Sequence, residues 1–94
     1  MTTLKRREVS VVANPKGLAV PDYVMIEGAI TRAAAERVAE AIARMNHLVV
    51  CGAPQLEHTE HGHPVYVATL GHARAGGVIS PAGQVQFMIL TDDL

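Results

Sequence analysis

One stretch, Tyr23–Gly52, constrains the fold more than any other part of the sequence, because it places a predicted helix between two apolar segments. Residues 32–45 contain neither Gly nor Pro and include six alanines, the residue with the highest helix propensity. Thr31 is a suitable N-cap, and Asn46 can take the left-handed conformation that ends a helix. The sequence therefore predicts one helix over residues 32–45.

Apolar residues spaced by three and four positions define one face of this helix. They are Ala34, Ala35, Val38, Ala41, Ile42 and Met45. Because alanine makes up half of this face, the helix can lie close to a sheet but offers it only a narrow contact surface.

Alternating apolar residues predict strands before and after the helix. The predicted strands are residues 8–13, 23–30, 48–52, 65–70, 78–80 and 84–90, with a further short limb at 18–20. A turn is expected at residues 14–17, a polar connection at 53–64, and a Pro/Gly hairpin turn at 81–83. The two strands that flank the helix form either a parallel crossover or an antiparallel pair, and the sequence leaves both open.

These elements predict an α+β fold in a single domain over residues 1–94, with a flexible basic segment at residues 1–7. We expect the single alanine-rich helix to pack on a curled, mostly antiparallel sheet of five or six strands, in the order β-β-α-β-β-β.

The helix is too narrow to cover such a sheet. Five or six strands at about 4.8 Å spacing span roughly 25 Å, whereas one helix covers about 10 Å. The other face of the sheet is also apolar, so we expect a homodimer or another protein to cover it, the alternative being a strongly curled monomer. This face is predicted to carry Val12, Met25, Tyr66, Leu70, Met88 and Leu90, opposite Val11, Ile26, Val67, Phe87 and Ile89. From this set we predict Met25, Tyr66, Met88 and Leu90 as partner-binding residues.

Composition excludes several classes of protein. The 94 residues are 49% hydrophobic and 18% charged, which is typical of a globular chain, and the net charge of −1 argues against a nucleic-acid-binding protein. The single cysteine, Cys51, excludes an intramolecular disulfide framework and fits a reducing compartment. No secretory signal is recognisable, and no apolar run approaches the roughly 18–20 residues that a membrane span needs. We therefore expect a cytoplasmic protein.

A histidine-rich segment over residues 57–64 is the one concentration of residues that can bind a metal. His58, His61 and His63 supply imidazole ligands suited to zinc or nickel, and His72 or Cys51 can complete such a site. The spacing matches no standard zinc motif. The ordinary role of such a segment is a polar, solvent-exposed loop, so we expect no cofactor and keep the metal site as an alternative.

Two further residues are candidates for catalysis. Cys51 is a nucleophile if a histidine of the following loop activates it, although a cysteine in an apolar strand is more commonly a small buried side chain. Glu27 can act as a general base if it is buried, with Arg74 as an ion-pair partner in some registers, but it also fits the outward position of an alternating strand.

The leading functional hypothesis is a small non-enzymatic protein that binds itself or another protein through a sheet face or an edge strand. Chains of this kind commonly serve as accessory subunits or inhibitors of larger assemblies, including phage- and plasmid-borne ones. A small metal-dependent or general acid/base enzyme that uses His58, His61 and His63 is the first alternative. Weak nucleic-acid binding by Lys5, Arg6, Arg7 and Arg32 is the second, with no aromatic stacking platform to support it.

Overall fold

The protein is described by a computed structural model that covers residues 6–14 and 17–89, without the side chain of Ile89. In chain order the elements are β1 (Arg6–Asn14), β2 (Tyr23–Glu27), α1 (Arg32–Met45), β3 (Val49–Val50), β4 (Gln55–His58), β5 (Pro64–Ala73) and β6 (Ile79–Ile89). The predicted α+β class, with one helix and a curled antiparallel sheet, is confirmed.

All strands belong to one sheet with the order β2-β1-β6-β5-β3, and β4 pairs with β5 beside β3. Every strand pair in the described residues is antiparallel. β2 and β3, the strands on either side of α1, lie at opposite edges of the sheet. The stretch that includes the helix is therefore neither a parallel crossover nor a pair of neighbouring antiparallel strands.

The helix spans residues 32–45, as predicted. The Ala34 N–H donates to the Thr31 hydroxyl over 3.1 Å, which caps the first turn. At the other end the left-handed conformation falls on His47 (φ 57°), while Asn46 keeps φ −107°. His47 rather than Asn46 thus turns the chain out of the helix.

The buried face of α1 is rotated from the predicted one. Its buried residues are Ala34, Ala35, Ala39, Ile42 and Ala43, whereas Ala41 is exposed and Met45 is 59% exposed. The reason is the alanine content: Ala39 and Ala43 extend the apolar stripe on one side as Ala41 does on the other. Because alanines lie on both sides of this stripe, the sequence pattern does not show which residues lie at the middle of the buried face.

The core lies between α1 and one face of the sheet. Its largest members on the strands are Val9, Leu70, Val85 and Phe87, all fully buried, and they form one cluster with Ala35, Ala39 and Ile42 of α1. The helix contacts mainly β3 and β5. Over the remaining core, the loops on either side of β2 contribute Leu18, Val20 and Ile30.

Several strands differ from the prediction. β1 begins at Arg6, inside the segment predicted to be flexible, and residues 18–20 form no strand. The polar connection contains β4. Residues 81–83 form no hairpin turn; they are an irregularity within the continuous β6, opposite Leu70 and Gly71. Pro and Gly suit a bulge as well as a turn, and the turn itself forms at residues 74–78.

Asn46 joins the end of α1 to the loop before β2. Its side-chain oxygen accepts from the Ala19 N–H (2.7 Å), and its amide nitrogen donates to the carbonyls of Ala19 (3.0 Å) and Ile42 (2.8 Å). The two bonds to Ala19 hold the segment that carries Leu18 and Val20 against the core, and the bond to Ile42 fixes the Asn46 side chain.

We expect the substitution Asn46→Ala to lower the free energy of unfolding by about 1–2 kcal/mol, because it removes three hydrogen bonds, two of them partly screened by solvent. Urea denaturation monitored by circular dichroism measures this change. Asn14→Ala, at an exposed position in β1, is the matched control and should stay within about 0.5 kcal/mol of the parent protein. Equal effects of the two substitutions would show that Asn46 does not hold the loop.

Candidate interaction surface

The face of the sheet opposite α1 carries exposed apolar side chains, and we call it the open face. The register places Tyr23, Ser10, Met88, Val65 and Glu57 in one row across five strands. The apolar residues of this face with substantial exposure are Val12 (45%), Tyr23 (54%), Met25 (59%), Val49 (38%) and Ile79 (39%). The helix contacts the sheet from the opposite side, mainly at β3 and β5.

Alternation along β2 separates the open face from the core. Val24 and Ile26 are half-buried against the core cluster, whereas Tyr23 and Met25 point the other way and are exposed. The position of β2 at the edge of the sheet leaves these two side chains with neighbours on one side only. The sequence pattern predicted this arrangement for β2.

The predicted phase of β5 was wrong. Tyr66 pairs with Phe87 and packs, half-buried, against the core cluster, so it lies on the helix-covered face with Leu70. Val67 lies instead on the open face with Val65, and both are buried. Alternation cannot settle this phase, since both sides of β5 are apolar.

Of the three remaining residues predicted to bind a partner, two are described by the structure and one is not. Met25 and Met88 both lie on the open face, Met88 half-buried near the centre of the row. Leu90 lies outside the described residues. Two open-face residues, Val49 and Ile79, were not predicted. Val49 belongs to a strand too short to show a pattern, and the phase of Ile79 is reversed by the irregularity in β6.

The predicted histidine cluster forms the hairpin loop between β4 and β5. The Thr59 N–H donates to the His63 carbonyl over 2.9 Å, and the Thr59 hydroxyl accepts from the His63 N–H over 3.2 Å. His58 and His61 are exposed, and His63 is half-buried. Within the described part of the chain, no three side chains of His, Cys, Asp or Glu are placed to hold a metal ion together. The structure thus shows a closed turn and not an assembled site.

Glu27 lies at the end of β2 beside Arg6, with 3.9 Å between the carboxylate oxygen and the guanidinium nitrogen. The two side chains are 60% and 75% exposed, so this ion pair contributes little to stability. Arg74 lies in the β5–β6 turn and is not its neighbour. A solvent-exposed, paired carboxylate lacks the burial that the general-base hypothesis requires.

Cys51 follows β3 and is half-buried beside Gly71 of β5. A methyl group on Gly71 would lie 2.9 Å from the Cys51 sulfur, 2.7 Å from Ile79 Cγ2 and 2.7 Å from the Ser80 carbonyl oxygen. Cys51 and Ile79 therefore meet above a position with no room for a side chain. This packing is that of a small apolar side chain.

We expect Gly71→Ala to lower the free energy of unfolding by about 1–3 kcal/mol, because its methyl group overlaps with both side chain and backbone. Chemical denaturation of the single variant measures the loss. The triple variant Gly71→Ala/Cys51→Ala/Ile79→Ala tests whether overlap with the backbone contributes to this loss. It should stay destabilised, since the Ser80 carbonyl remains in place. A Gly71→Ala variant as stable as the parent would contradict the close approach.

A shallow groove of about 310 Å³ lies between the end of α1 and β3. Glu40, Arg44, Leu48 and Val50 are among the residues that line it. The lining residues that the structure describes include no Cys, Ser, Thr or Lys side chain that could act as a nucleophile.

Comparison with known proteins identifies no relative: no family model, no curated protein and no solved structure matches this chain. Of the helices in the described part of the chain, none has the length and apolar character to span a membrane.

Proposed function

We propose that this protein is a non-enzymatic protein-binding module and that its open face receives a partner protein. The observation that carries the proposal is the exposure of Val12, Tyr23 and Met25 together on the sheet face opposite α1. Single exposed apolar residues are normal on a protein surface, but a set of them sharing one sheet face is typical of an interaction site.

Burying these side chains against a partner contributes a favourable free energy large enough to drive association. Removing a Val, Met or Tyr side chain fully from water contributes about 1.5–3 kcal/mol, and the residues here are about half exposed. Tyr and Met are also enriched in protein interfaces, where the tyrosine hydroxyl stays hydrated at the rim while the ring is buried. Tyr23, at the sheet edge, has this setting.

The charges of the open face indicate the chemistry of the partner. Glu8 lies between Met25 and the centre of the sheet, and Glu57 ends the row that contains Tyr23. Both carboxylates are exposed, and neither has an ion pair among the described residues. We infer a partner whose apolar contact surface is bordered by Lys or Arg side chains, which would pair with these carboxylates.

In this proposal the protein acts in the cytoplasm as an accessory subunit or inhibitor of a larger assembly. Neither alternative from the sequence gains support: the histidine loop assembles no metal site in the described residues, and Arg6 is engaged by Glu27.

We expect Val12→Lys to abolish partner binding while leaving stability within about 0.5 kcal/mol, because Val12 is an exposed side chain of the open face. Affinity capture from cells of the source organism, followed by reconstitution with the captured protein and native mass spectrometry, measures binding and stoichiometry. Ala41→Lys is the matched control, since Ala41 is exposed on α1 on the other side of the molecule.

The proposal requires a stoichiometric complex that Val12→Lys loses and Ala41→Lys keeps. If capture recovers no such protein, or if both lysine variants bind it equally, the open face is not the binding site.

A further inference from the structure

Among the described residues, no strand pairs with the outer edge of β2, so this strand presents a row of unpaired backbone groups. The Val11 N–H donates to the Asp22 carbonyl over 2.9 Å, in the same register that pairs Val9 with Val24. Because hydrogen-bonded pairs alternate along an antiparallel ladder, Val24 and Ile26 direct their N–H and C=O groups toward β1. Tyr23, Met25 and Glu27 therefore direct theirs away from the sheet.

Of the features by which proteins usually protect an edge strand, β2 has one charged side chain, Glu27. Residues 23–27 include no Lys and no Pro, and the pairing with β1 runs without a bulge. The opposite edge differs. β3 has only two residues, and β4 is preceded by Pro54, which has no N–H to donate.

We propose that β2 pairs with β2 of a second copy of this chain, antiparallel and with Met25 opposite the partner's Met25. In this register Tyr23 lies opposite the partner's Glu27, and all three outward-facing positions of each strand form hydrogen-bonded pairs. About six backbone hydrogen bonds result, and the two sheets become one.

The side chains of β2 are complementary to their own image in this register. On the helix-covered face Val24 lies opposite the partner's Ile26, so apolar side chains meet. On the open face the carboxylate of Glu27 meets a tyrosine and not another carboxylate. A two-fold axis through the Met25 pair thus brings no like charges into direct opposition, as a self-complementary interface requires.

Other pairings are weaker. Shifting the axis to Val24 or Ile26 leaves only two hydrogen-bonded pairs within residues 23–27. At the other edge the ladder of β4 with β5 leaves Leu56 and His58 facing outward, because Thr59 pairs with His63. If β4 paired with β4 of a second copy about a two-fold axis at Glu57, the two Glu57 carboxylates would lie opposite each other. With the axis at Leu56, His58 would lie opposite Pro54 of the second copy, which has no N–H to donate.

The inference rests on the proposed function, in that both treat the chain as a protein-binding module, but it uses a different surface. Edge pairing leaves the centre of the open face free and joins the open faces of two copies side by side. The two copies then offer a partner protein one surface of twice the width.

The first experiment measures the dimer by sedimentation equilibrium. We expect the parent protein to dimerise and Met25→Pro to weaken the dimer at least about tenfold, because proline removes an outward N–H without breaking the ladder to β1. Leu56→Pro is the matched control: it removes an outward N–H at the other edge and should leave the dimer unchanged. Circular dichroism of both variants checks that they remain folded.

The second experiment locates the axis and does not depend on the proline variant. In a Cys51→Ala background, Met25→Cys should form an intermolecular disulfide under mild oxidation, since hydrogen-bonded pairs have Cα atoms about 5.5 Å apart. Tyr23→Cys is the control, equally exposed on the same strand but displaced from its counterpart by four residues. Leu56→Cys is a second control at the other edge.

A disulfide dimer from Met25→Cys alone would support the inference. A monomeric parent protein, or a dimer that crosslinks equally well through Tyr23→Cys or Leu56→Cys, would overturn it. These outcomes are independent of the open-face proposal, because Val12→Lys should still dimerise. If the parent protein is monomeric and Val12→Lys loses partner binding, the edge pairing is wrong. The open face is then still supported as the binding site.

Discussion

The pairing between β5 and β6 holds the two halves of the sheet together. Nine residue pairs join these strands, β1 and β2 attach through β6, and β3 and β4 attach through β5. The helix contacts mainly β3 and β5, so it covers one half of the sheet face on which it lies. The other half depends on the loops around β2, which the side chain of Asn46 ties to the end of α1. A chain of this size thus builds its core from one narrow helix and two loops.

Both faces of β5 are apolar. Leu70 and Ala68 belong to the core under α1, while Val65 and Val67 are buried on the open face, where Met88 and Gln86 of β6 flank them. The apolar side chains Val65 and Val67 of β5 thus form a buried centre within the open face. The exposed side chains of Val12 and Tyr23 extend that surface toward the sheet edge.

Local signals in the sequence predicted the helix, its Thr31 cap, the fold class and the faces of β2, since each depends on residues close together in the chain. They did not predict β4, because Gln55–His58 carries no alternating pattern and is a strand only through its pairing with β5. The phase of β5 also escaped prediction, because Tyr66 and Val67 are equally suited to a core. Asn46 was predicted to end the helix by its backbone, whereas its structural role is a contact with Ala19, distant in sequence. Among the site residues, Met25 and Met88 could be placed on the open face from alternation alone, and Val49 and Ile79 could not.

The charges of the open face separate two ways in which copies of this chain can meet. Face-to-face packing would bury Glu8 and Glu57 against an image of the same surface, whose one arginine on the described strands, Arg6, already contacts Glu27. Burying unpaired carboxylates is costly, so this arrangement is disfavoured. Pairing through β2 keeps those carboxylates in solvent and sets Glu27 opposite a tyrosine. The edge of the sheet therefore suits a second copy of the chain, while the open face suits a different protein that supplies the missing positive charge.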